Sequence, residues 1–333
     1  MSDKTGIEWA DATWNPVTGC TKVSEGCRNC YAKTFTERFE GTPGHYFETG
    51  FKITLRPEKL DQPLRWRRPR RIFVNSMSDL FHQDVPDDYI DQVFAVMALC
   101  PEHTFQILTK RPERMFKYMT HPGSPFAKDK LADISPYMEQ WGWMSPEDAA
   151  NIAPPGSTLP KWPEWPLPNV WLGVSVENQQ AADERIPMLL QTPAAVRFLS
   201  CEQPLLGPVD LESVRGTFQI EHPNNEGYGV SAIDGIDWVI VGGESGSKAR
   251  PMHPDWARSL RDQCQATGVP FFFKQWGEWS PGSNFDDHIP ASVAYDFGTR
   301  SSDDELVWKV GKNAAGRLLN GRTWDEFPGE GMV

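Results

Sequence analysis

Several features that mark whole classes of protein are missing from this 333-residue sequence. It has no run of eighteen or more apolar residues, so we expect neither a membrane-spanning helix nor a membrane partner. Met1 to Lys4 lack the basic and then apolar pattern of a secretory signal, which points to a cytoplasmic protein. The formal net charge is -12, so the chain lacks the excess of Lys and Arg typical of general nucleic-acid-binding surfaces.

Cysteine is also scarce, because the chain contains six, too few for a disulfide scaffold at this length. Cys20, Cys27 and Cys30 crowd into one short stretch, and this clustering indicates a metal site. Free cysteine is among the most frequently buried residue types, and isolated cysteines in apolar helices and strands are typical core residues. We therefore predict that the other three are small core residues: Cys100, Cys201 and Cys264.

Short runs rich in Val, Ile and Phe alternate with helical patterns along most of the chain. The predicted strands are Arg71 to Ser76, Thr104 to Thr109, Asn169 to Glu177, Ala195 to Glu202, Asp237 to Gly243 and Pro270 to Gln275, with Thr13 to Thr18 as a candidate first strand. The predicted helices are Tyr31 to Phe39, Asp87 to Cys100 and His253 to Gly268. Such alternation predicts βαβ units and a parallel sheet. We expect an α/β fold, a partial parallel (β/α) barrel of the TIM type over residues 1–280.

Two segments interrupt this alternation, and a third follows it. Residues 115–167 are rich in Pro and Trp, and we predict an insertion within the barrel that acts as a lid or partner surface. Ser213 to Gly235 form a second irregular segment. Residues 281–333 are polar and Gly-rich, with a weak strand signal from Leu306 to Val310, and we predict a C-terminal extension packed on the barrel.

The clustered cysteines are separated by six and then two residues, so one loop can bring three thiolates together. Gly19 and Gly26 each precede a cysteine and permit the backbone angles that such a loop needs. A structural zinc ion almost always has four protein ligands, and His45 is the nearest candidate for the fourth. A [4Fe-4S] cluster held by three cysteines instead leaves one iron open to a cofactor. The residues alone leave both interpretations open, together with unliganded thiols.

The sequence around the clustered cysteines resembles a known motif. Asn15 to Cys20 and Gly26 to Ala32 are similar to the radical S-adenosylmethionine motif of the spore photoproduct lyase-like group, with three residues added between the first two cysteines. The longer spacing is similar to that of a phage- and bacteria-encoded family, the three-cysteine-motif proteins. Asn29 stands where the motif has an aromatic residue. The likeness covers most of residues 5–280 and extends to Ile7 to Trp9, Asn75 to Phe81, Leu108 to Pro112 and Gly242 to Gly246.

The resemblance implies cofactors and a reaction. Cys20, Cys27 and Cys30 would hold a [4Fe-4S] cluster whose open iron binds S-adenosylmethionine, and an electron from an external donor would cleave it to methionine and a 5'-deoxyadenosyl radical. The radical would act on an unidentified substrate, for which nucleic acid or a modified base is the first candidate, as a lyase, transferase or oxidoreductase. A partner protein of the three-cysteine-motif family is a further candidate. The rival function is a non-catalytic, zinc-stabilised binding protein of phage or bacterial origin.

Polar residues at the carboxyl ends of the strands are the remaining site candidates, because reactive groups of parallel barrels collect there. Period-two alternation directs Gly173, Ser175 and Glu177 inward, and on the next strand Ser200 and Glu202. The predicted catalytic residues are Lys110, Glu202 and Lys274. The predicted cofactor-binding residues are Tyr31, Asn75, Ser76, Ser78, Asp79, Thr109, Lys110, Ser175, Glu177, Ser200, Gly242 and Gly243. For each single residue the alternative is a capping or loop hydrogen bond.

The resemblance assigns contacts within this set. The end of the predicted strand Arg71 to Ser76 would contact the amino group of the methionyl part of S-adenosylmethionine. Ser175 or Glu177 would contact its ribose or its carboxylate. Lys110 or Arg111 would bind the carboxylate. Gly242 to Gly246 follow a strand and precede a helix, a context that suits a phosphate or an adenine. The basic run Arg65 to Arg71 comes just before a strand, and we predict a partly salt-bridged loop in preference to a nucleic-acid contact.

Overall fold

The computed structural model describes residues 5–120, 128–154, 157–202, 204–214, 231–285, 289, 293–298 and 306–329. Most of the irregular segment predicted from Ser213 to Gly235 lies outside these residues. The chain divides into two compact units. The first comprises Met1–Thr21, Thr36–Leu172 and Thr192–Ala195, and the second comprises Lys22–Phe35, Gly173–Gln191 and Val196–Val333. No helix in the described residues is long and apolar enough to cross a membrane.

The secondary structure alternates between strands and helices over most of its length. The strands are β1 (Ala12–Trp14), β2 (Val17–Thr18), β3 (Thr54–Leu55), β4 (Arg71–Val74), β5 (Thr104–Thr109), β6 (Val170–Ser175), β7 (Val196–Cys201), β8 (Trp238–Gly242), β9 (Phe271–Gln275), β10 (Trp279–Pro281), β11 (Ala294–Tyr295) and β12 (Val307–Lys309). The α-helices are α1 (Tyr31–Thr36), α2 (Asp87–Ala98), α3 (Pro112–Thr120), α4 (Lys128–Gln140), α5 (Pro146–Ile152), α6 (Gln179–Gln191), α7 (Pro254–Thr267) and α8 (Lys312–Ala315).

Seven strands form one sheet in the order β1-β4-β5-β6-β7-β8-β9. The strand pairs β1–β4, β4–β5, β7–β8 and β8–β9 are all parallel. The spatial order of the seven strands is therefore the order in which they occur along the chain, as the successive βαβ units of a (β/α) barrel require. The α/β class and the parallel sheet are therefore confirmed, and the strand order is consistent with a partial barrel.

In the first unit, the candidate strand Thr13 to Thr18 proves to be two strands. β1 ends at Trp14, and β2 pairs antiparallel with β3 after Asn15 and Pro16. Pro16 has no backbone N–H to give to a ladder, which favours a break at this point. β4 ends at Val74, before the predicted Ser76, because Asn75 adopts a left-handed backbone with φ of 59°.

The helices of the first unit bury their apolar faces. α2 buries Ile90, Val93, Phe94 and Met97, which lie at helical spacing on one face. α3 runs through Met115, which is buried, so regular structure continues past the predicted start of the insertion. Within the insertion α4 and α5 form helices, and Ile134 and Met138 of α4 are buried. Residues 121–127 and 155–156 of this segment lie outside the described residues.

In the second unit, α7 ends at Thr267 and is capped by Gly268, which adopts φ of 74°. β12 lies within the weak strand signal of the tail, and β10, β12 and β11 form a small antiparallel sheet. The C-terminal segment is attached by hydrogen bonds to β8 and to Trp276, the residue after β9. Trp238 Nε1 donates to the carbonyl of Glu326 at 2.8 Å, and Trp276 Nε1 donates to the carbonyl of Leu318 at 2.8 Å.

Candidate functional site

Cys20 follows a tight crossing of two backbone segments in the first unit. Gly19 adopts φ of +87°, and a Cβ on it would lie 2.1 Å from the carbonyl oxygen of Lys52. Gly19 donates its N–H to the carbonyl of Met77 at 3.1 Å. Cys20, the first residue of the cysteine loop, therefore lies close in space to the segment that follows β4. Only glycine fits this position, because any side chain would enter the Lys52 backbone.

The Arg111 guanidinium, 13% exposed, fixes the first part of the cysteine loop. Its Nη1 donates to Asp79 Oδ2 at 2.7 Å and to Cys20 Sγ at 3.6 Å. Its Nη2 donates to the carbonyl and to the hydroxyl oxygen of Thr21, each at 3.0 Å. Burial lowers the pKa of Arg111, but the Asp79 carboxylate and the Cys20 sulfur raise it by more, and the net shift is upward. The positive charge of Arg111 is therefore held in a fixed position beside Cys20, the first cysteine of the loop.

Asp79, one of the predicted cofactor-binding residues, uses both carboxylate oxygens within the protein. Oδ1 accepts from the Thr109 hydroxyl at 2.8 Å and from the Phe81 N–H at 3.0 Å. Oδ2 accepts from the Lys110 N–H at 3.2 Å in addition to Arg111. Asp79 thus ties the end of β5 to the segment after β4 and holds Arg111 in place. Its contacts are those of a positioning residue, and they also occupy the Thr109 hydroxyl.

His82 completes this network, and the sequence analysis missed it. Its ring is fully buried, and its Nδ1 accepts the N–H of Asp84 at 3.1 Å. In the neutral ring Nε2 therefore carries the proton and donates to the Thr21 hydroxyl at 2.8 Å. Burial lowers the pKa of His82, and the Arg111 charge lowers it further, against smaller opposing effects of Asp84 and Asp79.

The residues after β4 brace the loop between β1 and β2. Ser76 Oγ donates to Asn15 Oδ1 at 3.2 Å, and Ser78 Oγ donates to the Val17 carbonyl at 2.8 Å. Asn75 Oδ1 accepts the Val17 N–H at 3.2 Å. The buried Nδ2 of Asn75 has no hydrogen-bond partner among the described residues, so this amide keeps a donor for a ligand or a water.

A second arginine network holds the later part of the cysteine loop, in the second unit. Asn29, between Cys27 and Cys30, donates from Nδ2 to Glu244 Oε2 at 3.1 Å and to the Lys248 carbonyl at 2.8 Å. The Asn29 amide therefore anchors the loop to the segment after β8. This anchor requires the amide, because an aromatic side chain could not make both hydrogen bonds.

Arg250 closes this network. Its Nε and Nη2 donate to the two carboxylate oxygens of Glu244 at 3.0 Å each, the forked geometry that suits a guanidinium. Its Nη1 donates to the Glu25 carbonyl at 3.1 Å and to Glu25 Oε1 at 2.9 Å. Glu244 is buried, and no individual role was predicted for Glu244 or Arg250. The Gly-rich segment therefore contributes a carboxylate that orders the cysteine loop.

The six cysteines divide into two groups by environment. Cys20, Cys27 and Cys30 are partly exposed and form no disulfide, whereas Cys100, Cys201 and Cys264 are buried as predicted. Burial raises the pKa of Cys100 to about 12 and also raises the pKa of the other two buried thiols. A thiol must lose its proton to bind a metal, so the buried three are unsuited as ligands.

Among the described residues, no group of three His, Cys, Asp or Glu side chains stands close enough to hold a metal ion. His45, the candidate fourth zinc ligand, stacks on Phe39 with ring centroids 4.0 Å apart. Its Nδ1 accepts the Phe47 N–H at 3.1 Å. One of its two ring nitrogens is therefore engaged in the local turn.

At the end of β6, Glu177 forms a buried ion pair with Arg185 of α6. The two guanidinium nitrogens donate to the two carboxylate oxygens at 2.8 and 3.2 Å, and Nη1 also donates to the Ser175 carbonyl at 2.7 Å. Both side chains are buried. Glu177 was predicted to contact a cofactor, but its geometry is that of a residue that fastens α6 to the strand.

The ends of β7, β8 and β9 bring together a further group of predicted residues. Lys274 Nζ lies 2.9 Å from Glu202 Oε2. A Cβ on Gly242 would lie 3.3 Å from Lys274 Cβ, and one on Gly243 would lie 1.9 Å from the Trp276 carbonyl oxygen. Close packing of protein backbone thus accounts for Gly243. Ser200 Oγ is buried and has no hydrogen-bond partner among the described residues.

Two remaining features of the sequence lie apart from these networks. Tyr31 opens α1 and is 53% exposed. In the basic run, Arg65 pairs with Asp61 at 2.9 Å, and Arg70 lies over the Trp66 ring, 4.8 Å from its centroid. These contacts agree with the predicted salt-bridged loop.

Comparisons with known proteins place the chain in a family. A cysteine-to-serine mutant of spore photoproduct lyase is similar in structure, with a TM-score of 0.30 and 13% sequence identity, over 60% of this chain and 58% of that chain. This chain thus spans less than two thirds of the length of that protein. No curated protein matches the sequence. A family profile with the description "Protein of unknown function (DUF5131)" matches residues 4–328, and the chain belongs to that family.

Proposed function

We propose that this protein is a radical S-adenosylmethionine enzyme in which Cys20, Cys27 and Cys30 hold a [4Fe-4S] cluster. The observation that carries the proposal is the anchoring of the cysteine loop. Arg111 with Asp79 fastens its first part, and Arg250 with Glu244 fastens its later part. Each network pairs a partly buried arginine with a buried carboxylate, Asp79 or Glu244. Such pairs are costly to desolvate, and a loop with a binding task justifies two of them.

The donor set suits the cluster. Three partly exposed thiols without disulfide bonds supply three ligands and leave the fourth iron available. When bound, the cluster supplies the electron that cleaves S-adenosylmethionine to methionine and a 5'-deoxyadenosyl radical. Arg111 donates an N–H to the Cys20 sulfur at 3.6 Å, and such hydrogen bonds stabilise a thiolate and tune the potential of the site.

The other groups of the protein have supporting roles in this proposal. Lys110, at the end of β5, and the unpartnered Asn75 Nδ2 supply donors for the carboxylate of S-adenosylmethionine. An external protein or reagent donates the electron. Nucleic acid or a modified base remains the first candidate substrate, in line with the motif resemblance, and the reaction class stays a lyase, transferase or oxidoreductase.

Iron analysis of anaerobically purified protein tests the proposal. We expect about four iron and four sulfide per chain, a brown colour and bleaching by dithionite. Cys27→Ala should lose the cluster, whereas Cys264→Ala, which alters a buried thiol outside the loop, should keep it. Colourless protein with one zinc per chain, or equal iron in both variants, contradicts the proposal and favours the zinc-stabilised binding protein.

Formation of 5'-deoxyadenosine provides a second measurement. Reduced wild-type protein should release it from S-adenosylmethionine even without a substrate, and Cys27→Ala should not. If the protein carries the cluster but releases no 5'-deoxyadenosine, the iron–sulfur site stands and the assignment as a radical enzyme is wrong.

A further inference from the structure

The ends of β7, β8 and β9 in the second unit form a polar group that the cysteine loop does not explain. Glu202 follows β7, and Lys274 lies near the end of β9, with β8 between them. They meet at 2.9 Å across Gly242, where a Cβ would lie 3.3 Å from Lys274 Cβ and 3.4 Å from Glu202 Cβ. Because Gly242 carries no Cβ, the Glu202 and Lys274 side chains can pack close to each other over β8, with a carboxylate and an ammonium side by side.

Ser200 supplies a second, independent observation. It lies two residues before Glu202 and so on the same face of β7. Its side chain is 1% exposed, and its hydroxyl has no hydrogen-bond partner among the described residues. A buried hydroxyl without a partner is uncommon in folded proteins, so the site offers a donor and acceptor to something that is not protein.

Stability alone does not account for the group. The Glu202 side chain is 1% exposed and that of Lys274 is 17% exposed. The desolvation of such an ion pair offsets much of its attraction, and apolar replacements are often equally stable. Carboxyl ends of parallel strands are the edge where α/β proteins bind substrates. A ligand site is therefore the better explanation.

The chemistry of the group selects the kind of ligand. Lys274 and Ser200 present N–H and O–H donors, and Glu202 presents acceptor oxygens beside them. The charges of Glu202 and Lys274 cancel, so an anionic ligand would compete with Glu202 for Lys274 and be repelled by it. We infer that this site binds a neutral amide or imide edge, whose carbonyl oxygen accepts from Lys274 and Ser200 and whose N–H donates to Glu202. The inference rests on the proposed function in one respect, because the amide or imide edge is taken to be part of the substrate of the proposed radical enzyme.

Calorimetry and thermal unfolding with small probes test the site. Uracil and δ-valerolactam both carry a carbonyl beside an N–H, the first on a base ring and the second on a plain lactam. We expect both to bind, and at ten times its Kd each should lower the unfolding equilibrium constant about elevenfold. Binding of uracil alone would narrow the class to a base. N-methyl-δ-valerolactam, which lacks the N–H, should bind at least tenfold more weakly. Binding of inorganic phosphate in place of these probes, or of no probe, overturns the inference.

Variants connect the binding to the named residues. Glu202→Gln/Lys274→Met should unfold at the wild-type temperature or above and lose probe binding, and Ser200→Ala should weaken binding at least fivefold with a cooperative unfolding transition. Asp255→Asn/Arg258→Met, which neutralises an exposed ion pair on α7, is the matched control and should bind normally. Unchanged binding in both site variants contradicts the inference.

The outcome is separable from that of the cluster proposal. Iron content is measured on the same preparations, with and without reconstitution. Iron-loaded protein that binds no probe overturns the ligand site alone, whereas probe binding by protein that never takes up iron overturns the radical-enzyme proposal alone.

Discussion

Arg111 makes contacts that no other cation could reproduce. Its planar fork reaches Asp79, Cys20 and Thr21 at once, and a lysine ammonium could satisfy only part of this set. We expect Arg111→Lys to lower the free energy of unfolding by about 1.5–3 kcal/mol, as for the loss of hydrogen bonds to charged groups. We also expect a lower iron content after reconstitution.

Arg114 is the matched control for this change. It lies on α3, the helix that begins one residue after Arg111, and pairs with Asp87, whose side chain is 63% exposed. Surface pairs contribute little, so Arg114→Lys should change the free energy of unfolding by less than about 1 kcal/mol. Chemical denaturation and iron analysis of both variants check the comparison, and equal effects would remove the special role of Arg111.

His82 predicts an acid sensitivity of the first unit. In the folded protein its pKa lies below the ordinary value of 6.5, so below pH 6.5 the unfolded chain binds more protons at this residue than the folded protein does. The free energy of unfolding should therefore fall as the pH decreases from 6.5 toward the folded pKa. One proton sets the limit of about 1.4 kcal/mol per pH unit.

His82→Gln isolates this contribution. Its amide can still donate to Thr21 but does not titrate. Denaturation of both proteins between pH 5 and pH 8 should give a smaller decrease for the variant below pH 6.5 and parallel curves above it. If the free energies of unfolding of the wild type and of His82→Gln differ by the same amount at every pH in this range, His82 stabilises the fold without titrating.

Among the elements, strands were the most predictable from sequence. β5 has the predicted bounds, and β7, β8 and β9 lie within theirs, because alternating and continuous apolar runs report burial directly. Two boundaries were missed for local reasons. β4 stops where Asn75 turns left-handed, and the Thr13 to Thr18 segment breaks at Pro16. Neither the backbone of Asn75 nor the pairing of β2 with β3 is encoded by hydrophobic period.

The sequence predicts that the Gly-rich segment Gly242 to Gly246 contacts a phosphate or an adenine. In the structure, the atoms that crowd Gly243 belong to the protein backbone. At Gly243 a Cβ would stand 1.9 Å from the Trp276 carbonyl oxygen, so the backbone would have to move. We expect Gly243→Ala to lower the free energy of unfolding by about 1–3 kcal/mol or more, the range for overpacking. Thermal and urea unfolding measure it.

Gly207→Ala provides the comparison within the second unit. A Cβ there would lie 3.4 Å from Asn178 Cβ, an ordinary contact, so the change should be nearly neutral or stabilise through the unfolded state. If Gly243→Ala is as mild as Gly207→Ala, the close backbone packing does not determine the glycine, and the ligand interpretation regains its support.

Across the whole molecule, the sequence pointed to the cysteine loop but not to what anchors it. The clustered cysteines were visible through spacing alone. Asn29 and Glu244 are 215 residues apart, and Arg250 and Glu25 are 225 apart. Partners at such separations are set by the order of strands in the sheet, and the charge of a residue does not reveal them. A pattern of isolated polar residues just after predicted strands was the only available signal, and Glu244 fits it.

The charge of the whole molecule leads to a last prediction. With a net charge of -12, the chain should bind duplex DNA weakly at physiological salt, and its basic run is partly neutralised by ion pairs such as Arg65 with Asp61. Arg67 and Arg68 are exposed. Any binding at low salt should therefore use about two phosphates, which gives a slope of log K against log salt near -2.

Fluorescence anisotropy with labelled duplex over a salt series measures this slope. Arg67→Gln/Arg68→Gln should abolish the low-salt binding, and Arg28→Gln, which changes an exposed arginine of the cysteine loop, should leave it intact. A slope of -6 or steeper would require a phosphate-binding surface of several cations. That result would make duplex nucleic acid the substrate to pursue first, whereas a slope near -2 favours a modified base, free or in a short single strand, as the better match to so acidic a protein.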